Sequence, residues 1–258
     1  MLAWRRLGSG RPLILINGYG ATKDDWDPAF IEALAARHDV ICLDNRGMGA
    51  SERGEGELTV GRLAQDVVQV MDALGLERTA VAGWSLGGFV AQELAAREPD
   101  RVEALVLLAT DSGGKAAVRC PPEVEARLRD RSGTPREQAT RLIGLLFPEP
   151  VAAEIDARFG DLVAEARAQL SPTVLEAQEK LIDRWHADSP DERLAAIRCP
   201  ALVAAGTDDA VIPSANCQAL AECLPDARVA LFPGCGHAFM AQEPERLVRL
   251  IGAFLAGV

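Results

Sequence analysis

Short, mostly apolar runs recur along the chain: LILIN (13–17), VICLD (40–44), TAVAGW (79–84), VEALVLLA (102–109), ALVAAG (201–206) and RVALFP (228–233). They are continuous rather than alternating, which suits strands buried on both faces, as in a parallel sheet covered by helices. Helical periodicity fills the gaps. Over 59–75, Leu63, Val67, Val70, Met71 and Leu74 share one face, Thr59 can cap the start, and Gly75 stands where a terminating glycine belongs. Further helices are predicted over 86–97, ended by Pro99, over 214–224 after Pro213, and over about 243–256, where Pro244 opens the first turn and Glu243 and Glu245 suit the positive end of the dipole. Strand–helix alternation of this kind predicts an α/β fold with a doubly wound sheet.

The middle of the chain breaks this rhythm. From about 115 to 196 no strand pattern occurs, and helices are predicted near 122–131, 135–147, 150–170, 172–186 and 190–197, punctuated by Pro121, Pro122, Pro135, Pro148, Pro150, Pro172 and Pro190. A helical insertion between two strands of one sheet is the economical reading. The expected organisation is a core of 1–114 and 197–258 with a helical block over 115–196.

The bulk numbers narrow the function. The 258 residues are 48% hydrophobic, enough for one large core. The net charge of −11 argues against nucleic acid or an anionic membrane as the main partner. No apolar run approaches the roughly 18–20 residues of a membrane helix, and the first residues do not read as a secretory signal. Cys42, Cys120, Cys199, Cys217, Cys223 and Cys235 lack zinc-like spacing and read as free thiols, with a cytoplasmic location following.

The candidate chemistry centres on VAGWSLGGFV (81–90), where Gly83-Trp84-Ser85-Leu86-Gly87 joins an apolar strand to a helix. Glycines at 83 and 87 let strand and helix approach closely, so that Ser85 sits on a strained turn with its hydroxyl presented. The Leu86 amide, at the helix N-terminus, suits a developing oxyanion. A serine hydroxyl needs a base. Of three histidines, His38 lies at the amino end of a strand and His186 near the end of a helix of the insertion. His237 lies, like Ser85, at the carboxyl end of a strand, where sites form in open α/β sheets. His237 is therefore the expected base, and His186 a pocket residue. An acid to orient the imidazole can come from Asp208 or Asp209 after one strand, or from Asp111 after another.

The order serine, acid, histidine resembles the α/β-hydrolase fold superfamily, its esterase, non-haem bromoperoxidase-like and enol-lactonase-like branches included. LINGYGATKDDW resembles the family's oxyanion loop, DNRGMGAS its D-x-R-G-x-G-x-S stretch, GTDDAVIP its acid loop and GCGHAFMAQEPERL its G-x-G-H ending. The resemblance covers nearly the whole chain. It implies a mostly parallel doubly wound sheet with a helical cap inserted after the sixth strand, Asp209 as the acid, and the Tyr19 amide as second oxyanion donor beside Leu86. Asn17 departs from the family's usual histidine, and Asp44, Arg46 and Ser51 read as supports of a neighbouring loop. The implied activity is that of a cofactor-free, metal-free serine hydrolase using Ser85, His237 and Asp209 on a small ester, lactone or related acyl substrate. A peracid-forming haloperoxidase-like enzyme, a C–C bond hydrolase and a ligand-binding protein of weak turnover are the alternatives. Trp84, Phe147, Trp185 and His186 are the expected pocket side chains, and Arg141, Arg158 and Arg184 the cations that could reach a substrate carboxylate. The oligomeric state is not legible.

Overall fold

The computed structural model describes residues 2–115, 117–188 and 191–258, without the side chain of Asp191. Pro190, read above as punctuation, lies outside them. In chain order the elements are β1 (Trp4–Gly8), β2 (Arg11–Ile16), α1 (Pro28–Ala35), β3 (His38–Leu43), α2 (Val60–Ala73), β4 (Thr79–Trp84), α3 (Leu86–Arg97) and β5 (Val102–Leu108). The helices α4 (Pro122–Arg129), α5 (Pro135–Leu146), α6 (Val151–Ala168), α7 (Pro172–Ala187) and α8 (Asp191–Ala196) follow. The chain closes with β6 (Ala201–Gly206), α9 (Ala215–Cys223), β7 (Ala227–Phe232), α10 (Phe239–Gln242) and α11 (Pro244–Leu255).

The strands form one seven-stranded sheet in the order β1-β3-β2-β4-β5-β6-β7, parallel except for β1 against β3. The continuous apolar runs are explained by its two covered faces. Ile14 and Ile16 pack with residues of α2 and α3, such as Val67, Met71 and Phe89. Leu13 and Leu15 pack with Phe30 and Leu34 of α1 and Ile251 and Phe254 of α11. Alternate side chains of one strand thus enter opposite cores. Thr59 caps α2 by accepting from the Arg62 amide at 3.1 Å, and Gly75 follows its end at φ +66°.

Two details differ from the sequence reading. β1 was not expected; it is an edge strand whose Arg5 and Arg6 interrupt the apolar signal. Residues 228–233 were read as a strand buried on both faces, yet Val229 and Leu231 of β7 are exposed because β7 is the opposite edge. As expected, the helical insertion α4–α8 lies between two strands of the one sheet, β5 and β6. No helix among these residues is long and apolar enough to cross a membrane.

The topology brings the carboxyl ends of β2, β4, β5, β6 and β7 to one side of the sheet. The segments leaving those ends carry Tyr19, Ser85, Asp111, Asp209 and His237.

Candidate active site

Ser85 stands between β4 and α3 at φ 56°, ψ −122°, a conformation that costs a non-glycine residue about 1–3 kcal/mol. The surroundings over-determine it. The Ser85 amide donates to the Leu108 carbonyl at 2.9 Å, and its own carbonyl accepts from the Gly88 amide and the Thr110 hydroxyl, both at 2.8 Å. A Cβ at Gly83 would lie 2.2 Å from the Gly87 carbonyl oxygen, and one at Gly87 would lie 2.1 Å from that of Ile16. Only glycine permits this crossing of strand and helix. Leu86 is the first residue of α3, so its amide belongs to the unpaired donors of the helix N-terminus.

His237 is buried in the loop after β7. Its Nδ1 lies 2.8 Å from Asp209 Oδ2. The other oxygen of Asp209 accepts from the amides of Val211 and Ile212, each at 2.8 Å, which fixes the orientation of the carboxylate. A carboxylate can only accept, so Nδ1 carries the proton and Nε2 of the neutral ring keeps its lone pair. Trp84, next to the serine, donates from Nε1 to the His237 carbonyl at 3.0 Å, and the indole and imidazole centroids are 5.3 Å apart. The serine turn and the histidine loop are thereby bonded to each other.

Asp111 makes a second pair. Its Oδ2 lies 3.1 Å from His186 Nε2, while Oδ1 accepts from the Gly113 amide at 2.7 Å and Trp185 Nε1 at 3.1 Å. His186 Nδ1 lies 2.9 Å from the Ile182 carbonyl. Both ring nitrogens thus face oxygen atoms of the protein. Unlike His237, His186 has no ring nitrogen left over for a base's work. The acid left open between Asp111 and the 208–209 loop therefore divides spatially: Asp209 bonds His237, and Asp111 bonds His186.

The loop after β2 carries Tyr19. Its phenol donates to Glu179 of α7 at 2.6 Å, and the neighbouring Gly20 amide donates to Gln178 Oε1 at 2.9 Å. Burial, with Glu179 beside it, pushes the Tyr19 hydroxyl well above its ordinary pKa. Asn17, where the resemblance implies histidine, is fully buried; it donates from Nδ2 to the Thr22 carbonyl, and its own carbonyl accepts from Asn45 Nδ2 at 2.9 Å. It ties the loop together. Asp44 accepts from the amides of Lys23 and Ala50, Ser51 donates to the Asp44 carbonyl, and Arg46 makes a two-point pair with buried Asp66. All three act as supports.

A cavity of about 60 Å³ opens above the turn, lined by Ser85, Leu86, Phe89, Tyr19, Ile182 and His186 among others. Of the four expected pocket side chains, His186 lies in this lining and the other three do not. Trp84 packs against Trp26 and His237, Phe147 lies where α5 ends against Gly236, and Trp185 stacks on Phe89 with its indole turned to Asp111. Trp185 lies in the core, and Trp84 and Phe147 are half-buried against it. Arg141, Arg158 and Arg184 are likewise outside it, bonded to the Asp130 and Ser132 carbonyls, Glu154 and Glu57. Gln178 and Glu179 were not anticipated. A signal existed for Gln178: it interrupts the apolar stripe Val174, Leu181, Trp185 on α7, which places a polar group in a buried seam. Among the described residues, no group of three or more His, Cys, Asp or Glu side chains is arranged to hold a metal ion. The six cysteines are free.

A family model described as alpha/beta hydrolase fold matches residues 11–244. A protein of Azorhizobium caulinodans, provisionally named carbamate hydrolase RutD, is 37% identical over 240 residues, covering 92% of this chain and 88% of that relative. One of Mycobacterium tuberculosis, provisionally named non-heme bromoperoxidase BpoC, is 31% identical and covers 100% of this chain and 98% of its own. Among solved structures, the meta-cleavage product hydrolase CumD of Pseudomonas fluorescens superposes with a TM-score of 0.87 at 23% identity, over 99% of this chain and 94% of that one. That likeness concerns the fold.

Proposed function

Because the chain belongs to the alpha/beta hydrolase fold family and is a hydrolase, we propose that it cleaves a small carboxylic ester, lactone or related acyl substrate with Ser85, His237 and Asp209. The observation that carries this reading is the His237–Asp209 bond of 2.8 Å, in which two backbone amides orient the carboxylate. In the reaction, Ser85 Oγ attacks the acyl carbon as its proton passes to His237 Nε2. Asp209 stabilises the imidazolium so formed. The carbonyl oxygen becomes an oxyanion between the amides of Leu86 and Tyr19. The bond to the leaving alcohol then breaks, and His237 returns the proton to that alcohol. Water repeats the route, giving its proton to His237 and its oxygen to the acyl group, and Ser85 is regenerated.

The helices between β5 and β6 serve as the cap, since α7 supplies Ile182 and His186 to the pocket wall. Leu86, Phe89 and Ile182 give the pocket an apolar wall, which suits a neutral acyl group. Carbamates, which the Azorhizobium relative's name specifies, are acyl compounds of this class. Free thiols suit a reducing, cytoplasmic setting. A second reading, perhydrolysis, draws on the likeness to the Mycobacterium bromoperoxidase; hydrogen peroxide would replace water in the second half-reaction and yield a peracid.

The test is a fluorophosphonate probe with p-nitrophenyl acetate as substrate. The parent chain should be labelled on Ser85, and Ser85→Ala should lose labelling and at least about 10³-fold in kcat. Comparable turnover by Ser85→Ala sinks serine catalysis. Peroxide-dependent bromination faster than ester hydrolysis favours the second reading.

A further inference from the structure

Tyr19 sits half-buried in the loop after β2, whose base is tied by Asn17 and Asn45. The insertion ties the part of the loop that carries Tyr19. Gln178 of α7 is fully buried, 158 residues away in sequence, and its Oε1 takes the Gly20 amide at 2.9 Å. The next residue, Glu179, takes the Tyr19 hydroxyl at 2.6 Å and is itself paired with Arg131. The peptide plane that follows the Tyr19 amide and the side chain that branches from it are thus both tied to one helix. Nothing else on α7 reaches the loop through hydrogen bonds of this kind among the described residues.

The Gln178 amide nitrogen is a poor bargain for stability alone: Nε2 is buried with no hydrogen-bond partner. An unpaired buried donor costs about 1–3 kcal/mol. A methionine would fill the same seam between Val174, Leu181 and Trp185 without that cost. What methionine lacks is the acceptor for Gly20.

We propose that Gln178 is a positioning residue: it presets the oxyanion hole by holding the Gly20 peptide, so that seating the insertion and completing the hole are one event. The proposal rests on the Tyr19 amide being an oxyanion donor, as in the function proposed above. It asks nothing of Gln178 in the ground state, because the hole matters only once charge develops on oxygen.

The experiment is Gln178→Met in the full chain. Removing a hole donor outright costs about 10²–10³-fold, so loosening one should lower kcat for p-nitrophenyl acetate about tenfold. KM should stay within about twofold, since ground-state binding is untouched. The melting temperature should hold or rise. Affinity for n-propylboronic acid, whose tetrahedral adduct on the serine places a negative oxygen in the hole, should weaken by the same factor as kcat. Affinity for acetate should not change. In the parent chain the Gly20 amide should exchange its hydrogen about 100-fold more slowly than open-loop amides.

Parent-like kcat and boronate affinity in Gln178→Met, or Gly20 exchange at open-loop rates, overturn the proposal while leaving serine catalysis intact. A fall in kcat accompanied by equal losses in acetate affinity and melting temperature also overturns it, since that pattern marks general loosening. Retained turnover in Ser85→Ala removes both readings together.

Discussion

Replacing either Asp209 or Asp111 by asparagine makes the same chemical change in two histidine–aspartate pairs, and the structure predicts opposite results. Asp209 Oδ1 is held by the amides of Val211 and Ile212, each at 2.8 Å. In Asp209→Asn, only the amide oxygen can accept from those two donors, so Nδ2 must turn toward His237. Nδ1 of His237 then has to accept, its proton moves to Nε2, and the ring can no longer take a proton from Ser85. A wrong tautomer of this kind costs about 10⁴-fold in kcat, which is about 5.4 kcal/mol of transition-state stabilisation. In Asp111→Asn, the amide oxygen likewise stays with the Gly113 amide and Trp185 Nε1. Its Nδ2 donates to His186 Nε2, while Nδ1–H continues to donate to the Ile182 carbonyl. Every group remains satisfied with a neutral ring, so kcat should fall by less than about threefold; the loss of one charge-assisted bond should cost stability only about 1 kcal/mol. The assay is steady-state hydrolysis of p-nitrophenyl acetate with urea unfolding on the same samples. Loss of activity in Asp111→Asn with retention in Asp209→Asn would refute the argument from amide orientation and the assignment of the acid with it.

Gly87→Ala should cost several kcal/mol of stability or abolish turnover while the chain stays folded, because its Cβ would lie 2.1 Å from the Ile16 carbonyl oxygen; circular dichroism and kcat together check this, and a fully active variant refutes the close approach. Stability should also decline between pH 9 and 11. Burial raises the Cys42 and Cys199 thiols to about 11 and Cys217 to about 12, so the unfolded chain ionises first and binds fewer protons than the native one. Each thiol then removes roughly 1.4 kcal/mol per pH unit, and Cys217→Ala should flatten the slope of urea midpoints against pH by about one thiol's share.

What the sequence made legible is what local spacing encodes. The Ser85 turn could be read because its glycines, its strand and its helix all lie within a few residues, and the steric reason for them is local. His237 could be singled out because only three histidines compete and strand ends are recognisable, and it is the one bonded to Asp209. β1 escaped because an edge strand needs apolar residues on only one side, and Arg5 and Arg6 hide the alternation. The same edge logic explains why β7 looked more buried than it is: Val229 and Leu231 are apolar but have no covering layer. The pairing of Asp111 with His186 spans 75 residues, and that of Tyr19 with Glu179 spans 160. No periodicity reports contacts at such distances. Trp185 is an apolar residue of the insertion, and apolarity alone does not choose between a cavity wall and the stack on Phe89.

The charges around the cavity bear on what it can select. Arg129 bonds Glu125 and Asp183, Arg119 bonds Glu125, Glu179 is shared by Tyr19 and Arg131, and Asp111 is paired with His186. Each arginine and glutamate in the lining already has its counter-ion on the protein, and Asp111 is hydrogen-bonded to His186. A substrate carboxylate entering here would have to break such a pair or go without a partner, and an uncompensated buried charge costs several kcal/mol. A neutral acyl group meets no such penalty; it contacts Phe89, Leu86 and Ile182, and its carbonyl oxygen can use the backbone amides. On the proposed function, discrimination then rests on the substrate's charge and on the fit of the oxyanion. If Gln178 presets the hole as proposed, a change in α7 that shifts it should lower the rate as it reshapes the wall formed by Glu179, Ile182 and His186.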